Sequence, residues 1–347
     1  MATIYDVARR ADVSIGTVSR YLNDKGYVGE KARERIKKAI EELGFRPSSI
    51  ARGLTHKRSY MLGFVVSDLL NPFIPEIVRS AQDFADEAGY CLLIYNTDGN
   101  GPREARALKL LYERRVDGLI ITPPETKEGN RTILELHTLG IPIVLVGRSL
   151  KGVAFDRVTT DTYTGAIDAV THLAALGHTR IAFIGGERAR GLALGRYQGY
   201  LDGLQKIGLP IDERLIIETP LTRESGAEAI SRLFEMVQQP TGIFAANDIS
   251  AIGAMQEVMR RGKQVPTDLS IVGFDDIALA AQTLPPLTTI AQPKALLGQT
   301  AVELLLARIE QVTERTPQEI RLPCELVVRG STTTQVGVSM LEGGFAS

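Results

Sequence analysis

Cysteine is nearly absent from this 347-residue chain, which carries only Cys91 and Cys324, far apart. Two isolated cysteines make neither a disulfide framework nor a metal cluster. Cys91 sits in the apolar run YCLLIYN and is expected to be a small buried hydrophobe. The histidines are as sparse: His56, His137, His172 and His178 are scattered, with no Ser/His/Asp set around them. His178, in LGHTR, is expected to order a turn. The phrase GERARGLALG has glycines without the spacing of a phosphate-binding loop. No enzyme, metal or cofactor is expected. No apolar run approaches membrane-spanning length. The opening MATIYDVARRAD has no apolar h-region, which predicts no signal peptide and a cytoplasmic protein.

Whole-chain charge is also uninformative, at −1, but its distribution is not. Residues 1–58 hold 13 Lys+Arg against 7 Asp+Glu, net +6; the remainder holds 27 against 34, net −7. A basic head on an acidic body is the footprint of a nucleic-acid-binding module joined to something else.

The stretch TIYDVARRADVSIGTVSRYLN reads as two short helices joined by a tight turn. Thr3 can cap the first, with Asp6 three residues on facing its free amides. Asp12 occupies the turn, where it tolerates a left-handed backbone. Ser14 caps the second helix, Ile15 to Leu22. Val18, Tyr21 and Leu22 pack inward, leaving Ile15, Gly16, Ser19 and Arg20 on the opposite face. That face suits the major groove, where Arg can bond a guanine twice and an apolar group can meet a thymine methyl. Glu30 to Leu43 forms a third amphipathic helix that Gly44 stops. Residues 46–54, RPSSIARGL, could make a two-turn helix too short to stand alone.

From Tyr60 onward, apolar runs alternate with helical patterns: MLGFVVS, YCLLIYN, DGLIIT, IPIVLVG, RIAFIGG, RLIIE, GIFAAN and LSIVGFDD read as strands. The helices between them are expected near 72–88, 103–115, 132–139, 165–176, 196–207, 225–237 and 249–261. Continuous apolar strands between amphipathic helices mean parallel sheets covered on both faces. So many repeats split into two doubly wound subdomains. In such sheets ligands bind at the carboxyl ends of strands. Those ends carry Ser67-Asp68, Asn96-Thr97-Asp98, Thr122, Gly147-Arg148, Gly185-Gly186, Asn247-Asp248 and Asp275-Asp276, a set suited to a polar or polyhydroxylated ligand. Some are expected to be helix caps. Asp68, Asp98 and Arg148 enter the candidate ligand set on this ground.

The N-terminal stretch and GFRPSSIARGL together resemble the start of LacI/GalR-family repressors, in the layout of the purine and lactose repressors. NPFIPEIVRSAQDFA, VDGLIITP, VTTDTYTGAIDAVTHLAALGHTRIAFIGG, GRYQGYLDGL, GIFAANDISAIGAMQ, VPTDLSIVGFDD and PPLTTIAQP extend the resemblance almost to the end of the chain. It implies an α/β protein: an all-α helix-turn-helix head (1–47), a hinge helix and linker (48–58), a periplasmic-binding-protein-like body (59–338) and a tail (339–347). The body would divide into an N-subdomain (59–161 and 291–319) and a C-subdomain (162–290 and 320–338). Ile15, Gly16 and Arg20 would read bases, with Thr3, Ser14, Thr17, Ser19 and Asn23 around them. Ala51 and Leu54 would belong to a hinge helix that folds on DNA, where Leu54 would wedge into the minor groove. Gly53 stands where serine is usual.

In the body, Phe73 would lie over the effector, Arg190 and Arg196 would donate to it, and Asn247 and Asp275 would hold its polar edge. Asp161 lies near a crossover. Leu221 falls where relatives often carry a stacking aromatic, which points to a sugar rather than a flat purine. The implied partners are operator DNA, a small effector and a second copy of the chain. The tail lacks a leucine heptad, so a dimer is expected. A sugar-binding transport protein is the alternative class; the basic head and the start of the chain point away from it.

Overall fold

A computed structural model describes residues 2–22, 26–45, 58–122, 126–150, 152–186, 191–310 and 316–335, with the backbone alone at 191–193. It divides into two compact units, Met1–Tyr60 and Met61–Ser347.

The first unit contains helices α1 (Ile4–Ala11), α2 (Ile15–Leu22) and α3 (Glu30–Leu43). A capping box opens α1: the Thr3 N–H donates to the Asp6 carboxylate at 2.9 Å, and the Asp6 N–H donates back to the Thr3 hydroxyl. Asp12 ends α1 in the left-handed conformation, φ 50°. The Ser14 hydroxyl accepts from the Thr17 N–H at 3.1 Å and so caps α2. Val7, Ala8, Ala11, Val18, Val28, Ile36 and Ala39 form one small buried core. The expected hinge helix, 48–55, lies outside the described residues.

Among its described residues the second unit holds two six-stranded sheets. The first runs β11-β5-β4-β3-β1-β2, built from β1 (Met61–Val66), β2 (Cys91–Asn96), β3 (Gly118–Ile121), β4 (Ile143–Val146), β5 (Asp156–Thr160) and β11 (Glu319–Leu322). The second runs β12-β10-β9-β8-β6-β7, built from β6 (Ile181–Gly185), β7 (Ile216–Glu218), β8 (Gly242–Ala245), β9 (Ser270–Asp275), β10 (Thr288–Ala291) and β12 (Glu325–Val327). Every pairing is parallel except β10 with β12. Helices α4 (Phe73–Glu87), α5 (Gly101–Glu113), α6 (Lys127–Thr138) and α11 (Lys294–Glu310) cover the first sheet. Helices α7 (Thr162–Ala175), α8 (Gly191–Lys206), α9 (Arg223–Phe234) and α10 (Asp248–Arg260) cover the second. The chain passes between sheets at Asp161, at Gln292-Pro293 and at Pro323-Cys324. The last passage follows β11, so it lies a few residues beyond the boundary at 319.

Several local readings change. Cys91 is exposed, because β2 is the outermost strand of its sheet and Cys91 opens it. Helix α6 starts at Lys127 and not Thr132; Thr126 caps it, and its first turn, KEGN, carries no apolar stripe to betray it. Helix α8 starts at Gly191, within the glycine-containing phrase GLALG. Strand β5, DRVTT, is too polar to read as a buried parallel strand. His178 is buried and ties three segments together: its ring nitrogens meet the Thr241 hydroxyl at 3.0 Å and the Thr333 carbonyl at 3.1 Å.

Candidate functional site

In the first unit, α2 turns Val18 into the core and leaves Ile15, Gly16 and Arg20 exposed, with Ile15 41% accessible. Thr17 and Ser19 are half-buried beside them, and Thr3 and Ser14 are exposed caps. Arg20 folds back along its own helix, Nε to the Gly16 carbonyl at 3.3 Å and Nη2 to the Thr17 hydroxyl at 3.4 Å. These long, solvent-facing bonds leave it free to exchange them for another acceptor. Asn23, Ala51 and Leu54 lie outside the described residues.

In the second unit, a cavity of about 140 Å³ lies where the carboxyl ends of both sheets face each other. From the first sheet come Ser67 after β1, Thr122 after β3, Val146 and Gly147 at the end of β4, and Thr160 ending β5. From the second come Asn247 after β8, Asp275 ending β9, and Gln292 after β10. Phe73, Ile74 and Ile77 of α4 and Leu297 of α11 make one apolar wall; Leu221 lies on the wall too. Apolar walls with a few convergent polar groups suit a small-molecule site.

Asp275 and Arg196 are its charged pair. Both are nearly fully buried, and Arg196 Nη2 donates to Asp275 Oδ1 at 3.1 Å. Helix α8 can carry Arg196 this close because it packs against α7 through Gly195, Gly199 and Gly203. A Cβ at 199 would come 2.3 Å from the Tyr163 carbonyl oxygen. The Arg196 guanidinium stacks 4.3 Å over the Phe274 ring, which fixes its plane. Its Nε is buried with no hydrogen-bond partner among the described residues. Gln292 Nε2 donates to the same Asp275 oxygen at 2.6 Å, and its Oε1 accepts from the Thr160 hydroxyl. Burial pushes the Asp275 carboxyl up to about 6, against the pull of Arg196. Behind it, burial and the Asp275 charge push Asp248 up to about 8.

Phe73, Arg196, Leu221, Asn247 and Asp275 thus meet in one cavity. Asn247 also caps α10: its Oδ1 accepts from the Ser250 N–H at 3.0 Å, and its Nδ2 donates to the Leu221 carbonyl at 3.1 Å. Four other candidates do not line the cavity. Asp68 accepts from the Leu70 N–H, which closes its own turn. Asp98 is exposed and pairs with Arg103. Asp161 caps α7 through the Thr164 N–H at 3.2 Å. Arg148 is fully buried in an ion pair with Glu104 and donates to Asn130. Arg190 lies outside the described residues. Sequence reasoning missed Gln292 and Thr160 as lining residues, because it read neither β10 nor β5 as a strand.

Among the described residues no helix is long and apolar enough to cross a membrane. Two family descriptions match the chain: "Bacterial regulatory proteins, lacI family" over residues 3–48 and "Periplasmic binding protein-like domain" over residues 170–332. The HTH-type transcriptional regulator DegA of Bacillus subtilis (strain 168) is 39% identical over 332 residues, covering 95% of this chain and 98% of that one. The HTH-type transcriptional repressor PurR of Aliivibrio salmonicida (strain LFI1238) is 34% identical, covering 89% and 93%. The ribose operon repressor of Escherichia coli (strain K12) is 35% identical, covering 95% and 100%. The crystal structure of the lac repressor dimer bound to operator and the anti-inducer ONPF superposes with a TM-score of 0.83 at 30% identity, covering 96% and 99%. The relatives are regulators of transcription, not enzymes, and they match from the helix-turn-helix through both sheets: the chain belongs to the LacI family of bacterial transcription regulators.

Proposed function

We propose that the chain is a repressor that binds a pseudo-palindromic operator as a dimer and is controlled by a small sugar in the cleft. The observation that carries this reading is the Asp275–Arg196 pair, buried in a cavity whose polar groups come from both sheets. A carboxylate beside a guanidinium offers both an acceptor and donors to the hydroxyls of a sugar. Leu221 supports a sugar over a purine, since Phe73 is the one aromatic among the described lining residues and a flat ring would lack a second to sandwich it. The ribose operon repressor and PurR are similar to this chain to almost the same degree, so the lining carries the choice. Dimerisation places two heads on one two-fold-related site. Effector binding changes the angle between the two sheets' subdomains, and with it the affinity of the head for its operator. Coupling of roughly 1–3 kcal/mol is typical of such linkage. The site of action is the cytoplasm, where operator DNA is.

A thermal-shift screen of pentoses, hexoses and nucleobases tests the effector. A ligand at about 100 times its Kd stabilises by roughly 2.7 kcal/mol. A sugar should raise the melting temperature of the body; stabilisation by a nucleobase and by no sugar would overturn the sugar reading. For the head, Arg20→Ala should weaken operator binding by about 1–3 kcal/mol and relax preference at one base pair. An equal loss on operator and random DNA would restrict Arg20 to a phosphate contact.

A further inference from the structure

The backbone that presents Asp275 is strained. Asp275 and the following Asp276 both have positive φ, 112° and 53°, with no glycine to ease either. Three groups hold this turn. The Ile277 N–H donates to the buried Asp248 carboxylate at 2.8 Å. Arg329 pairs with the Asp276 carboxylate at 2.6 Å. The third is Lys294, whose Nζ donates to the Asp275 carbonyl at 3.0 Å and to the Asp276 carbonyl as well.

Lys294 differs from the other two because it is anchored on the first-sheet side. It is the first residue of α11, and α11 is locked to α4: the Ser80 hydroxyl donates to the Ala295 carbonyl at 2.6 Å, and a Cβ at Gly298 would lie 2.3 Å from the Ile77 carbonyl oxygen. Its Nζ also lies 3.5 Å from the Glu76 carboxylate of α4. A lysine at the first position of a helix sits at the wrong end of the helix dipole, and this one is only 9% exposed. Local stability does not account for a buried cation there. Its three acceptors do, and they belong to both subdomains.

We propose that Lys294 is a positioning residue that holds the strained turn under Asp275 and ties it, through Glu76, to α4 of the opposite subdomain. This rests on the cleft being the effector site, and it deepens that reading: a ligand that moves the Asp275 carboxylate also moves the turn's carbonyls against an ammonium fixed on the other side. A shift at the cleft is thereby felt on α4.

Hydrogen exchange on the full-length chain without ligand tests this, so a failed effector search leaves the test intact. Lys294→Met should speed exchange of the amides of 276–280 roughly tenfold or more, the loss expected for a charge-assisted hydrogen bond, and leave β8 unchanged. Lys294→Arg, which keeps a cation, should return the rate toward wild type. Glu76→Lys, a change on α4, should loosen the same turn, and should do nothing further when combined with Lys294→Met. Unchanged exchange at 276–280 in Lys294→Met would overturn the positioning role. Equal effects of Glu76→Lys with and without Lys294 would overturn the tie between subdomains.

Discussion

Asp275→Ala is expected to weaken effector binding by roughly 100-fold or more while leaving operator affinity in the absence of effector nearly unchanged. The variant removes the acceptor for ligand hydroxyls and leaves Arg196 buried without its carboxylate. Truncating one partner of a buried pair costs roughly 3–5 kcal/mol, because the remaining charge is uncompensated. Asp275→Asn should fall between wild type and Ala, since the amide oxygen still accepts from Arg196 or Gln292 but carries no charge. The affinity should also depend on pH. Burial raises the carboxyl to about 6, so it is ionised and accepting at pH 7 and becomes protonated as pH falls toward 5. Effector affinity should therefore drop across that interval in wild type and stay flat in Asp275→Asn. Calorimetry at several pH values checks both; unchanged affinity in Asp275→Ala would remove this residue from the site.

The second large effect is expected in stability. Arg148 and Glu104 form an ion pair with side chains 0% and 3% exposed. Glu104 also accepts from the Thr126 hydroxyl at 2.6 Å, and a Cβ at Gly129 would lie 2.0 Å from its carboxylate, so glycine at 129 makes room for the pair. Arg148→Ala strands the carboxylate and should cost about 3–5 kcal/mol. Replacing both partners with apolar residues of similar size, Arg148→Met with Glu104→Leu, should recover most of it. Denaturant unfolding followed by circular dichroism measures this. If Arg148→Ala is instead nearly neutral and abolishes effector binding, Arg148 is a ligand donor.

That same arginine marks where the sequence stops being legible. At a strand's carboxyl end, an arginine that meets ligand and one that meets a distant glutamate read alike, because the partner lies 44 positions away. The long apolar strands were readable because a buried parallel strand must be apolar on both faces. Strand β5, with Asp156 and Arg157 in DRVTT, hides behind its charges, and with it goes Thr160. Gln292 was hidden because it follows the short strand β10, and its role appears only once Thr160 and Asp275 flank it. The head was readable almost to the residue. Its signals are local: Thr3 with Asp6, left-handed Asp12, Ser14 with Thr17, and Gly44 at φ 56°. Burial of Cys91 was misread because an apolar run does not reveal whether its strand is central or outermost.

The central claim is that ligand in the cleft governs operator binding by the head. The most direct measurement is fluorescence anisotropy of a labelled operator fragment, recovered by gel shift from genomic DNA, titrated with the chain at fixed salt with and without the sugar that stabilises it. Adding the sugar should change operator affinity by about 5–150-fold. Asp275→Ala should abolish this change, and random DNA should not show it. Operator affinity unmoved by a ligand that demonstrably fills the cleft would show that the cleft does not control the head.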